Sequence, residues 1–447
     1  MNTPICDFVR RYAERNALRL HMPGHKGVSL LGMEQWDITE ISGADSLFEA
    51  NGIIAESERN AGALFGAHTF YSTEGSSLYI RAMLALVMQN APKRGEKTLI
   101  LAGRNAHRTF LSAVALLDVD VAWLWPREDE SYLSCTITPQ ALEQHLAAME
   151  RLPDALYITS PDYLGNRADI AGVAAVCHRY GVLLLVDNAH GAYLKFLPIS
   201  LHPMDLGADL CCDSAHKTLP ALTGCAYLHV SKNAPACFAE QAKDAMALFA
   251  STSPSYLLLQ SLDAVNRHLA ETFAADLAAF VSLAEQRKNA LANQGYVFCG
   301  DEPLKWTLCP RSRGYSGAEL AAELEKRGVV CEFFDLDHCV LMLSPALGEE
   351  GLQRLCAALA ALHVRPALAS DHPPFCKQQR VCSPREAMLA PAVTLPVGRC
   401  IGRVLARATV SCPPAVPIVV CGERIDERAV RAMTYYGIQN CAVLIEK

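Results

Sequence analysis

The strongest constraint on the fold is a regular alternation of apolar, strand-like runs with helical patterns between residues 98 and 187. The predicted strands are 98–102, 119–124, 155–159 and 182–186, and the predicted helices between them are 108–117, 138–149 and 169–180. Such alternation favours a mostly parallel sheet with helices on both faces. The sequence therefore predicts an α/β fold.

Polar residues follow strand-like runs at points where sheets of this kind bind ligands, beyond the carboxyl ends of the strands. These residues are His107, Tyr163, Asp187, His190 and Lys217. A carboxylate such as Asp187, placed after a fully apolar strand, can pair with a protonated pyridine nitrogen, and His107 can stack on an aromatic ring. Each alone is more often an ordinary loop residue or a hydrogen-bonded histidine. Their joint occurrence predicts a ligand site.

The segment 210–220 places Ser214, His216 and Lys217 within four residues, directly after an apolar run. Burying an ammonium group is costly unless it is paired, neutralised or covalently used, and Ser and His beside it can bind an anion. A phosphorylated aldehyde cofactor bonded to Lys217 accounts for all three residues. The alternative is a surface lysine in a polar loop.

A second candidate for anion binding is the segment 73–77, which lies between a short strand pattern and a helical pattern. Small hydroxyl residues and a glycine at the start of a helix direct N–H groups, O–H groups and the positive helix end towards one place. The alternative is a plain N-cap by Ser or Thr. A phosphate fits here only if the carboxylate of Glu74 points away.

Composition argues against several classes of protein. With 447 residues, 51% hydrophobic and 19% charged, the chain is expected to be globular and multidomain, and its net charge of -7 argues against nucleic acid as a partner. The 18 scattered cysteines and the lack of a signal-peptide pattern favour reduced thiols in a cytoplasmic protein. No uncharged run is long enough to span a membrane. His21 and His25 have no further ligands at zinc-site spacing, so no metal is predicted.

The chain resembles the ornithine/lysine/arginine decarboxylase family of pyridoxal-phosphate enzymes. The motifs that carry this resemblance lie at 21–27, 37–40, 65–67, 160–163, 187–191, 214–218, 252–258, 303–305, 383–387 and 413–418. The resemblance implies an aspartate-aminotransferase-type fold (fold type I), with a three-layer αβα major domain, a mixed, mostly parallel sheet and smaller α+β C-terminal domains. The domain boundaries expected on this basis are an arm (1–20), a major domain (21–292), a small domain (293–364), a linker (365–382) and a C-terminal module (383–447).

The resemblance also implies pyridoxal 5'-phosphate as cofactor and a homodimer, or a larger homo-oligomer, with shared active sites. Lys217 would hold the cofactor aldehyde, Asp187 its pyridine nitrogen and His107 its ring face, with His190 nearby. The residues expected to bind the cofactor phosphate are Gly75, Ser76, Ser214 and His216, and, for the neighbouring subunit, Thr252 and Ser253.

The implied reaction is decarboxylation of arginine, lysine or ornithine. A basic substrate needs a carboxylate partner, for which Glu332, Asp335 and Asp45 are candidates. Glu332 is favoured because relatives place a glutamate there, and the alternative is a charge at the edge of a strand. Departures from the family pattern leave the choice of amino acid open; they are Glu74, Asn188, Arg407 and Ser411–Cys412. Other hypotheses are an aminotransferase, lyase or racemase with the same cofactor, a non-catalytic regulatory relative and, more distantly, a zinc protein.

Overall fold

The computed structural model describes residues 1–91, 97–369, 372–408 and 414–445. The strands are β1 (His68–Ser72), β2 (Leu99–Gly103), β3 (Asp120–Leu124), β4 (Ala155–Thr159), β5 (Leu183–Asp187), β6 (Leu210–Asp213), β7 (Ala226–Val230), β8 (Phe298–Cys299), β9 (Lys305–Leu308), β10 (Phe333–Phe334), β11 (Cys339–Met342), β12 (Gln379–Arg380), β13 (Ala392–Pro396), β14 (Glu423–Arg424) and β15 (Asn440–Leu444). The helices are α1 (Pro4–Glu14), α2 (Ile53–Phe65), α3 (Ser76–Asn90), α4 (Arg108–Leu117), α5 (Pro139–Ala147), α6 (Ile170–Arg179), α7 (Ala215–Thr218), α8 (Ala236–Glu240), α9 (Ala242–Ala247), α10 (Tyr256–His268), α11 (Ala274–Asn293), α12 (Gly317–Glu325), α13 (Gly348–Ala360), α14 (Pro384–Leu389) and α15 (Glu427–Tyr435).

The chain packs into two compact units. The first is built from the described residues of Met1–Pro92 and Cys177–Leu277, and the second from those of Lys93–Val176 and Ala278–Lys447. The domain boundaries expected from the sequence follow the order along the chain, whereas these units follow packing. Those boundaries are not tested by this division and stay predictions.

The first unit contains strands in the order β1-β7-β6-β5. β5 and β6 are parallel, while β7 runs antiparallel to both of its neighbours. The register of the parallel pair places Asp187 opposite Cys212. The carboxyl ends of β5 and β6 therefore lie side by side, and the loops that follow them begin at one edge. Helix α3 is buried over most of its length because its residues are apolar on nearly every side.

The second unit contains the parallel strands β4-β2-β3 and a separate antiparallel sheet in the order β10-β11-β9-β8. Phe110 of α4 stacks on Tyr157 of β4, with 4.4 Å between the ring centroids. Near the C-terminus, α15 packs on a hydrophobic cluster that includes Leu405, Ile425 and Val443. Among strands β1 to β7, the pairs β2–β3, β2–β4 and β5–β6 are parallel, whereas β1–β7 and β6–β7 are antiparallel. The predicted α/β class with a mixed, mostly parallel sheet is confirmed.

The predicted alternation is present: the helix expected at 108–117 is α4, and the strand expected at 155–159 is β4. Residues 329–334 include several apolar side chains, but of these only Phe333–Phe334 form a strand, β10. Val330 is 83% exposed, so this valine does not face a core. In the described part of the chain, no helix has both the length and the apolar character needed to cross a membrane.

Candidate active site

Lys217 and His190 meet at the edge where β5 and β6 end. The Nζ atom of Lys217, on the short helix α7 after β6, lies 3.1 Å from Nε2 of His190, in the loop after β5. His190 is buried, whereas Lys217 is exposed in the single chain. In the chain alone, the Lys217 side chain is therefore open to solvent rather than buried. An amine beside an imidazole can exchange a proton with it.

The carboxylate of Asp187 occupies the last position of β5 and is only 2% exposed. Its Oδ1 accepts a hydrogen bond from the Ala189 N–H at 3.2 Å and from the Cys212 thiol at 3.7 Å. Burial, and then the charge of Asp187, raise the pKa of Cys212 well above its usual range, so the thiol keeps its proton and donates. Two donors thus orient the buried carboxylate of Asp187, and a carboxylate at this strand end can hold a cationic ring nitrogen.

The start of α3 and the start of α7 provide hydroxyl groups at one place. Ser214 Oγ donates to Ser76 Oγ at 2.8 Å, and both residues are nearly buried. Gly75 precedes them at φ +73, a backbone conformation that favours glycine, and a Cβ atom added there would meet nothing within 4 Å. The buried Thr218 hydroxyl, next to Lys217, has no hydrogen-bond partner among the described residues. This open, hydroxyl-lined end of a 15-residue helix fits a phosphate group.

His216 differs from the other residues expected to bind phosphate. Its Nδ1 donates to the Cys225 carbonyl at 2.9 Å, which leaves Nε2 as an acceptor in the neutral ring. Burial lowers the pKa of His216, a hydrogen bond to that carbonyl opposes this, and the charge of Lys217 lowers the pKa further. In this arrangement His216 donates to an anion only when it is protonated.

Glu74, a departure from the family pattern, is turned towards residues 251–253. Its Oε1 accepts a hydrogen bond from the Ser251 N–H at 2.7 Å, and Ser251 Oγ accepts from the Ser253 N–H at 3.1 Å. The carboxylate is thus used to fix the loop that carries Thr252 and Ser253, both of which are exposed. This contact meets the condition that Glu74 point away from the Gly75–Ser76 cradle.

A buried network around Asp213 was missed by the sequence analysis. Asp213 is fully buried and accepts hydrogen bonds from Asn188 Nδ2 at 2.7 Å, His202 Nε2 at 2.9 Å and His229 Nε2 at 3.2 Å. Burial opposes ionisation, but the two imidazoles hold the pKa of Asp213 well below its usual range. An amide at position 188 suits this network because it donates to Asp213, whereas a glutamate would place a second carboxylate there. This gives the departure at Asn188 a structural reason.

Replacing Asp213 with asparagine is expected to lower the free energy of unfolding by about 1.5–3 kcal/mol, since hydrogen bonds to a charged group are lost. Urea denaturation would measure the change. Asp276, which is exposed, offers a matched control, and Asp276→Asn is expected to stay within about 0.5 kcal/mol of the unsubstituted protein. Equal stability of the two variants would show that the Asp213 network contributes nothing.

Two further residues predicted for the site, His107 and Asp45, make other contacts in the structure. His107 is in the second unit, where its Nδ1 accepts from the Thr109 N–H at 3.1 Å and caps α4. Its proposed contact with a cofactor ring stays a prediction. Asp45 belongs to the first unit, but its carboxylate caps the start of α2 and accepts from the N–H groups of Asn51, Gly52 and Ile54. Both oxygens of Asp45 are therefore committed to the helix.

The remaining substrate candidates belong to the second unit. Glu332 is exposed and accepts a hydrogen bond from the Tyr163 hydroxyl at 2.8 Å. The carboxylate of Asp335 instead accepts from the backbone N–H of Asp337 and of His338 and contacts the His338 ring. Glu332 thus has the more accessible carboxylate. Of the family departures, Arg407 is described, whereas Ser411 and Cys412 lie outside the described residues.

Comparisons with known proteins identify the family and the fold. A family model described as the major domain of Orn/Lys/Arg decarboxylase matches residues 3–300. An arginine decarboxylase from Halalkalibacterium halodurans is 30% identical over 470 residues, covering 95% of this chain and 91% of the relative. The lysine decarboxylase LdcF from Francisella novicida has a TM-score of 0.80 at 15% identity, covering 99% of this chain and 81% of the other. An alanine–glyoxylate aminotransferase from Nostoc sp. has a TM-score of 0.54 at 16% identity, covering 69% and 86%. These structures confirm the aminotransferase-type fold.

Proposed function

The chain belongs to the ornithine/lysine/arginine decarboxylase family, whose cofactor is pyridoxal phosphate, and we propose that it releases CO2 from arginine, lysine or ornithine to form the corresponding amine. The observation that carries this proposal is the 3.1 Å contact between Lys217 Nζ and His190 Nε2, beside the strand end that holds the buried Asp187. The amine product would serve as a precursor of polyamines, and the enzyme would act in the cytoplasm.

We propose a role for each candidate active-site residue of the first unit. Pyridoxal phosphate, when bound, supplies a sink for the electron pair that stays on the substrate Cα as CO2 leaves. Lys217 would hold the cofactor aldehyde, and His190 would exchange a proton with its amine. Asp187 would keep the pyridine nitrogen protonated. The hydroxyls of Ser76 and Ser214, with the N-terminus of α3, would bind the phosphate.

We also propose a homodimer in which each subunit contributes to its partner's site. Thr252 and Ser253 are exposed in the single chain, and Glu74 fixes their loop beside the phosphate cradle. The family resemblance assigns this segment to the phosphate of the neighbouring subunit. Their exposure supports that role, since a partner-facing segment must be accessible before assembly.

The substrate's basic group is proposed to bind Glu332. Replacing Glu332 with glutamine is expected to raise KM for the basic substrate about 10-fold or more and to change kcat less, because the lost ion pair acts on binding. Steady-state kinetics would separate the two constants. Glu349→Gln, at an exposed position on α13, is the matched control. A KM unchanged by Glu332→Gln would remove this residue from the substrate site.

The proposed function is tested by measuring CO2 release from L-arginine, L-lysine and L-ornithine and from their D-forms, with pyridoxal phosphate present. Release from one substrate, together with the amine and without a keto acid, identifies a decarboxylase and its specificity. Keto acid without CO2 would instead indicate an aminotransferase. A protein that binds the cofactor but releases no CO2 from any of the six compounds would contradict the proposal that the substrate is a basic amino acid.

A further inference from the structure

Two cysteines and a histidine of the second unit lie together in the antiparallel sheet. Ligand atoms of Cys299, Cys309 and His338 all lie within 4.8 Å of one another. All three residues are half-buried, so an ion could reach them from solvent. They are far apart along the chain, which is why short-range spacing did not reveal them.

The strand register explains why these side chains share one face. Cys299 pairs with Thr307 on the adjacent strand, and Cys309 follows two positions later, so both point to the same side. In the antiparallel pair β9–β11, Leu308 lies opposite Cys339. The next position beyond this pair therefore places Cys309 opposite His338. Side chains at directly opposite and diagonal positions are close enough to bind one ion together.

A second observation concerns the orientation of the histidine ring. The Nδ1 atom of His338 lies 3.3 Å from the Asp335 carboxylate, which itself is held by the N–H groups of Asp337 and His338. A carboxylate bound to one ring nitrogen fixes the tautomer and leaves the other nitrogen with a lone pair. Histidines that bind metals in proteins are oriented in this way.

We propose that Cys299, Cys309 and His338 form a binding site for a thiophilic divalent metal ion such as zinc, with Asp335 as a positioning residue. Two thiolates and one imidazole are donors that zinc prefers, and a water molecule or another ligand completes four-fold coordination. On binding, each thiol releases its proton to solvent and the metal–sulfur bond forms, so no oxidant is required. The site is independent of decarboxylation and lies apart in the sequence from His21 and His25, the two histidines for which no metal was predicted.

The test uses the full chain, reduced and loaded with pyridoxal phosphate. The protein is incubated with zinc chloride and desalted, its metal content is measured by mass spectrometry, and its affinity is measured by competition with a chromogenic chelator. Bound zinc is expected in the unsubstituted protein. Cys299→Ser, Cys309→Ser and His338→Gln are each expected to weaken binding by more than about 100-fold, and Asp335→Asn by about 10–100-fold. Cys356→Ser, at a half-buried cysteine outside the group, is expected to bind as the unsubstituted protein does.

Cobalt gives a second readout. Bound cobalt is expected to show intense d–d bands at the red end of the visible spectrum, as four-coordinate thiolate sites do, and Cys309→Ser is expected to abolish them. The outcomes that overturn the proposal are an affinity too weak to survive desalting, equal binding by Cys309→Ser and Cys356→Ser, or a Cys299–Cys309 disulfide in the purified protein. If Cys309→Ser does not fold, the zinc affinities of Cys299→Ser and Asp335→Asn test the proposal instead.

Discussion

Replacing Lys217 with alanine is expected to lower CO2 release by at least about 10³-fold, because this residue is proposed to hold the cofactor and to exchange a proton with His190. The substitution removes the amine that lies 3.1 Å from His190. Since Lys217 is exposed in the single chain, the fold should tolerate alanine. The variant should therefore fold, bind the cofactor noncovalently and lose the visible absorbance of the lysine-linked form.

The matched control is Lys232→Ala, at an exposed lysine in the same unit. This variant is expected to keep both its absorbance and its rate. Circular dichroism of both proteins would check that the fold is intact. A Lys217→Ala protein with more than a tenth of the original rate would show that another residue holds the cofactor.

Replacing Asp187 with asparagine is expected to lower kcat by about 10²–10³-fold, the usual effect of removing one electrostatic contact to developing charge. The side chain keeps its size, but a neutral amide no longer favours a protonated pyridine nitrogen. The electron pair left by CO2 is then less stable. KM should change little, since the ring nitrogen makes no contact with the free substrate.

A spectrum of the bound cofactor as a function of pH separates this role from a structural one. In Asp187→Asn, loss of the pyridine proton is expected at lower pH than in the unsubstituted protein, and Asp276→Asn is the control. If Asp187→Asn retained the original kcat within about threefold, the carboxylate would have no part in stabilising the reacting charge.

The sequence alone determined the fold class and located the polar residues that follow the strand ends at the candidate site. The alternation of strand and helix patterns predicted the parallel strands, because hydrophobic period and element length are local properties. Asp187, His190 and Lys217 could be found because each directly follows a strand-like run, and such strand ends converge in α/β sheets. The order of the motifs then indicated the family.

Only the tertiary structure decided which distant side chains meet. The contact between Ser76 and Ser214, the sharing of Asp213 by His202 and His229, and the gathering of Cys299, Cys309 and His338 all depend on strand pairing. Register is set by packing between segments far apart in the chain, and a shift of one residue would turn each side chain to the other face. Local patterns therefore identified the residues at the strand ends, whereas their partners emerged only from the folded chain.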